Sequence, residues 1–177
     1  MSPDLQKSNR PTKSTGFCSL LSTNVDPMAY WLMKNEVSDY SIDDLARDER
    51  TAWTGVRNYQ ARNMMRDEMK RGDLAFFYHS NAEPSGVAGI MKIISDAKPD
   101  PTQFEKKSKY YDEKAKIEAP IWMLREVEFV EKLDRIISIT ELRTIVACKS
   151  MWILRPGNRL SITPVTTSEW KAILRKK

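Results

Sequence analysis

The sequence predicts a mixed α+β domain, with one sheet that draws strands from both halves of the chain and helices inserted between them. Two observations point there. Strand patterns occur early, as apolar runs at 29–33, 74–79 and 86–94, and again late, as an alternation of Val127 and Phe129 with Glu126, Glu128 and Lys132 within 121–133 and a further run at 136–139. Between and after them stand amphipathic segments with helix-capping residues at their starts: Ser41, Asn58, Thr140 and Thr166. The strict strand–helix alternation of a doubly wound α/β sheet is not the pattern here.

Taken in order, Ala29 to Met33 reads as a short buried strand with Lys34 emerging at its end. Ser41-Ile-Asp-Asp44 opens a helix that reaches about Asp48, with its acids in the favourable first turn. Asn58 caps a helix from Tyr59 to about Lys70, and Gly72 stops it. On that helix Ala61, Met65 and Met69 make a core-facing stripe beside Met64, and Asn58, Arg62 and Arg66 share another face. Its start is expected to attract anions. The runs 74–79 and 86–94 pair as a hairpin across the 81–85 loop, and Gly86 and Gly89 expose backbone for a bulge or a close approach. Lys106 to Glu118 reads as a long exposed loop around Tyr110 and Tyr111. The strand from Ile121 continues through Ile139, and Thr140 caps a helix to about Cys148. Met151 to Leu154 and Arg159 to Thr163 read as strands. The capping box Thr166-Thr-Ser-Glu169 opens a last helix with Trp170, Ile173 and Leu174 on its apolar side.

A chain of 177 residues suits one well-buried domain, here expected over residues 28–177. Residues 1–27, rich in Ser, Thr, Asn and Pro, are expected to form a disordered tail. With 29 Lys+Arg against 24 Asp+Glu the net charge is +5, a balance that permits a nucleic-acid partner without demanding one. Residues 151–177 hold six cations against Glu169, whereas residues 28–52 form an acidic stretch expected to keep away from phosphate. Cys18 and Cys148 make neither a disulfide framework nor a zinc site, and free thiols in a reducing compartment are expected. No apolar run approaches a membrane span.

Catalysis finds little support. His79 is the sole histidine, at the end of an apolar strand, with no paired Ser or Cys nucleophile; no P-loop or GxGxxG is present. Neither a metal site nor a cofactor site is expected. Recognition of an unstacked base fits the residue types better. Trp31, Trp53 and Tyr78 could wall a base, Asn58, Ser80 and Asn81 could read its edge, and Lys34, Arg57, Arg62, Arg155 and Arg159 could hold phosphate. Trp122 and Trp170 are assigned to the core. Two other readings stay open: an enzyme acting on nucleic acid or a nucleotide with His79 as acid/base, and a protein-interaction module using the 106–118 loop.

Six blocks, in order, carry a resemblance: Tyr30-Trp-Leu-Met-Lys34; Trp53-Thr-Gly-Val-Arg-Asn-Tyr-Gln-Ala-Arg-Asn63; Phe76-Phe-Tyr-His-Ser-Asn81; Gly86-Val-Ala-Gly-Ile90; Pro99-Asp-Pro-Thr102; and Arg159-Leu-Ser-Ile162 with Pro164-Val165. Over residues 29–174 the chain resembles the EVE domain family in its eukaryotic branch. The resemblance implies a PUA-like β-barrel flanked by helices and related to the YTH domain. It also implies a non-enzymatic, nuclear reader of a modified base in DNA or RNA, with an aromatic pocket and a basic rim. By that resemblance the role falls on Trp31, Lys34, Trp53, Arg57, Asn58, Tyr59, Arg62, Tyr78, His79, Ser80 and Arg159. Three positions depart from the family: Val37 replaces proline, Lys98 replaces the usual tyrosine and Thr163 the usual glutamine. The first two alter loops that are expected to border the pocket.

Overall fold

A seven-stranded sheet organises the computed structural model, which describes residues 28–177. The expected tail, including Cys18, lies outside the described residues. The strands are β1 (Tyr30–Glu36), β2 (Arg50–Trp53), β3 (Leu74–Ser80), β4 (Gly86–Ile93), β5 (Lys98–Pro99), β6 (Met123–Ser138) and β7 (Ile162–Val165). They lie in the order β2-β6-β4-β3-β1-β7, with β5 beside β6. Only β1 and β3 run parallel; the other pairings are antiparallel.

The two central strands are buried on both faces, which is why they read as continuous apolar runs rather than as alternation. Met33 and Phe77 point into one core, and Leu32 and Phe76 into another on the opposite side. The first core is the inside of a curl. Trp53 of β2 and Ile162 of β7 stand at opposite ends of the strand order, yet both belong to it. Register shifts at Phe77/Tyr78, Val87/Gly89 and Ile90/Met91 supply the bends that such a barrel-like sheet needs. Helices α1 (Ile42–Asp48) and α2 (Tyr59–Asn63) fill the curl. Gly89 is the point of closest approach: a Cβ there would lie 2.5 Å from Ile42 Cδ1 of α1. Helices α3 (Ile139–Thr144) and α4 (Thr167–Leu174) cover the outer face, where Trp170 stacks on Phe76 at 4.0 Å.

Several elements differ from the sequence expectation. The central helix is α-helical only to Asn63 and then widens into a π-helical turn over Met64–Glu68, closed by Met69 N–H donating to Met64 O at 2.9 Å. The buried Arg125 accounts for its ending: Nε donates to Met65 O at 2.7 Å, and Nη2 donates to Met69 O. Those carbonyls would otherwise be buried without partners. The methionine stripe itself is as expected, with Ala61, Met64, Met65 and Met69 all buried. Ser138, rather than Thr140, caps α3. Trp152–Leu154 is a 3-10 turn instead of a strand, and the last strand begins at Ile162 rather than Arg159. Strands β2 and β5 are too short to carry a periodic signal.

Candidate nucleic-acid interface

Where β1 and β3 end, two adjoining cavities of about 370 and 410 Å³ open beside the curl. Both are lined by Asn35, Asp39, Trp53, Thr54, Lys109 and Tyr110. The larger also takes in Lys34, Ser80, Asn81 and Arg159. Each volume is in the range of small-molecule sites.

The walls come from two distant segments. Trp53 ends β2 with its indole edge-on to Phe77, ring centroids 5.3 Å apart, so one side is core and another faces the cleft. Two residues on, Gly55 adopts φ +81°, and the Tyr110 ring lies so close that a Cβ would sit 2.6 Å from its Cζ. Asp100, wholly buried, holds this arrangement. Its Oδ2 accepts from Gly55 N–H at 2.9 Å and Arg57 Nη1 at 2.8 Å; its Oδ1 accepts from Thr102 N–H and hydroxyl at 2.9 and 2.6 Å. Burial alone would raise the pKa of this carboxyl, but the hydrogen bonds outweigh it and hold the pKa below the usual range. Arg57 also donates to the Tyr110 carbonyl from Nε at 2.8 Å and Nη2 at 2.6 Å. Gln103 carries the staple onward: its Oε1 accepts from Ile121 and Trp122 N–H, and its Nε2 donates to Asp100 and Trp122 carbonyls. The segment expected to be a solvated loop is therefore fixed where it meets the cleft.

On the floor, Asn35 Nδ2 donates to Tyr40 O at 2.9 Å, leaving Oδ1 with no hydrogen bond among the described residues. The N–H groups of Asp39 and Tyr40 both donate to Glu36 O at 3.0 Å, a tight turn that presents Asp39. Across the cleft Lys109 Nζ reaches Asp39 Oδ2 at 2.7 Å. Lys34 is half-buried, with its pKa lowered by desolvation and no ion pair among the described residues. Arg159 is exposed at the rim.

Of the residues singled out from sequence, the cleft brings together Trp53, Lys34, Ser80, Asn81 and Arg159. It leaves out the others. Trp31 is 3% exposed in the inner core and donates from Nε1 to Asp73 Oδ2 at 2.9 Å. Tyr78 is buried in the core on the other face of the sheet. His79, also buried, accepts from Ile42 N–H at Nε2 over 3.1 Å, and burial lowers its pKa. Asn58 caps α2, its Oδ1 accepting from Gln60 and Ala61 N–H, so the helix start expected to attract anions is already occupied. Arg57 is the staple. Arg62 donates to Ile121 O at 2.7 Å and lies over Tyr59, which is exposed and leans on Trp122. Arg155 covers Trp152. Sequence reasoning missed Asn35, Asp39, Lys109 and Tyr110 as cleft residues. The one signal for the last two was the aromatic pair inside a lysine-rich segment. Glu36 and Asp39, from the acidic stretch expected to keep away from phosphate, line the cleft as well.

A curled mixed sheet with helices on both sides and a polar cleft at its open end defines a PUA-like domain. Residues 29–176 match the EVE domain model, and the chain belongs to that family. Human thymocyte nuclear protein 1 is 41% identical over 165 residues, which span 82% of this chain and 72% of the relative. A solved structure from Leishmania major, a hypothetical protein, superposes with a TM-score of 0.81 at 42% identity, covering 84% of this chain and 94% of the other. Human THYN1, solved in complex with 5-methylcytosine-containing DNA, gives 0.78 at 41% identity over 84% and 96% of the two chains.

Proposed function

We propose that this chain is a non-enzymatic reader of a modified base in DNA, with 5-methylcytosine as the first candidate. The observation that carries the proposal is the cleft itself: aromatic walls from Trp53 and Tyr110, a half-buried Lys34 and an exposed Arg159 at the rim, neither with an ion-pair partner among the described residues. Stacking between base and aromatic contributes roughly 1–3 kcal/mol, and the cations suit the backbone of an extruded nucleotide. The human relative crystallised with 5-methylcytosine-containing DNA supports the same ligand. Its name supports a nuclear location. Against an acid/base role for His79 stands its geometry, since Nε2 is already engaged with Ile42 and the ring lines neither cavity.

The test is fluorescence anisotropy at fixed salt with matched oligonucleotides carrying cytosine or 5-methylcytosine, as DNA and as RNA. Tighter binding of the methylated DNA is expected. Because Trp53 is also core, Trp53→Phe is the informative variant: the fold survives while stacking area falls, and affinity drops several-fold. Equal binding of methylated and plain strands by the wild type would refute the reader assignment, and a preference for the RNA would redirect it.

A further inference from the structure

We infer that Asp39 is the residue that separates 5-methylcytosine from thymine, and that Lys109 holds it ready until a phosphate draws the lysine away. This rests on the modified-base reading above and goes beyond it to the edge of the base.

The problem is chemical. Thymine and 5-methylcytosine carry the same methyl group at the same ring position, so neither an apolar methyl contact nor aromatic walls can tell them apart. They differ at two places on the exposed edge: at C4, where cytosine presents its N4 amino donor and thymine its O4 acceptor, and at N3, an acceptor in cytosine and an N–H donor in thymine; the discrimination assigned to Asp39 is the one at C4. A reader of methylated cytosine in DNA meets thymine everywhere, and rejecting it takes an acceptor that cannot turn into a donor. An ionised carboxylate is such a group; an amide or hydroxyl can rotate to satisfy either base. Of the two carboxylates in the cleft, Glu36 and Asp39, Asp39 is the one that lines both cavities. Its position is set by the turn in which its own N–H and that of Tyr40 both donate to Glu36 O. The side chain makes no hydrogen bond to the backbone that would use it up. Its one partner among the described residues is Lys109, at 2.7 Å.

That partner comes from the opposite wall. Lys109 Nζ also lies 5.1 Å from the centroid of the neighbouring Tyr110 ring, so the ammonium sits between the carboxylate and an aromatic wall. Both ends of the ion pair are well exposed, at 62% for Lys109 and 39% for Asp39, so exchanging one partner for another costs little. An incoming strand offers both replacements at once. Its phosphate takes Lys109, and the N4 amino group of the extruded cytosine takes Asp39. A thymine offers only the first, and leaves its O4 facing a carboxylate with no proton between them.

The experiment compares DNA duplexes that differ in one central base, 5-methylcytosine or thymine, with plain cytosine as the control, each opposite an abasic site so that the base is unpaired. Wild-type protein should favour 5-methylcytosine by about tenfold or more. Asp39→Asn, whose amide can donate to O4, should bring the two affinities to within about twofold, with folding verified by circular dichroism. Lys109→Met should weaken both duplexes alike and make log K less steep in log salt by about one, while the preference persists. If Asp39→Asn keeps the wild-type preference, Asp39 is not the discriminating group, although the reader assignment stands. If the wild type binds 5-methylcytosine no better than plain cytosine, that assignment fails and takes this inference with it.

Discussion

His79 shows how the type of a side chain leaves its role open until its partner is known. A lone histidine at a strand end invites an acid/base role, but its Nε2 accepts from Ile42 N–H and so must be unprotonated in the fold. Burial lowers its pKa below the ordinary 6.5, so the unfolded chain binds this proton more readily than the folded one. The stability that follows is complete above about pH 6.5 and is lost as pH falls below it. Thermal unfolding between pH 7.5 and pH 5 should therefore show falling stability, and His79→Gln, whose amide oxygen can accept the same bond, should flatten that slope. The buried Asp100, with its pKa held below 3.8, titrates in a separate and more acidic window. Trp31 teaches a related lesson. It stands in a run whose alternate side chains pack into the two cores on either side of the sheet, so its indole has no route to solvent. A five-residue apolar run does not reveal that it lies mid-sheet, so the absence of Trp31 from the cleft could not be read from sequence.

At the scale of elements, the decisive piece is the 100–122 segment and the arginine that fastens it. Arg57→Met would leave Asp100 buried without its charge partner, which costs about 3–5 kcal/mol for a pair of this kind. Urea unfolding should register that loss, whereas Arg62→Ala, which removes a hydrogen bond to the Ile121 carbonyl and strands no buried carboxylate, should cost less. Sequence alone exposed Arg57 as a candidate cation but assigned it to phosphate, because its real partner, the Tyr110 carbonyl, lies 53 positions away. The caps on α1, α2 and α4 were legible for the opposite reason: each is a contact within three residues, between a side chain and N–H groups nearby. The short β2 carried no such local mark, although its last residue, Trp53, is the one of three candidate aromatic walls that lines the cleft.

For the molecule as a whole, charge is dispersed and the net excess of +5 predicts little by itself. What matters is which cations lack a carboxylate near the cleft, and Lys34 and Arg159 are two of these. Arg159→Ala should weaken methylated and plain DNA about equally and reduce the salt dependence of log K by about one, as loss of a single phosphate contact does. Arg155→Ala, remote from the cleft and stacked on Trp152, should leave that slope unchanged. The fold class was legible because apolar runs and caps are local. The curl was not, because it depends on three register shifts that bring β2 and β7 onto one interior.

Tyr110 is held at Gly55 by one arginine and one aspartate rather than by strand pairing. The proposed recognition thus depends on a patch whose local opening need not involve the rest of the sheet. Warming the domain would silence its ligand response while most of its amide protons remained protected, and bound DNA would slow exchange first in the 100–122 segment.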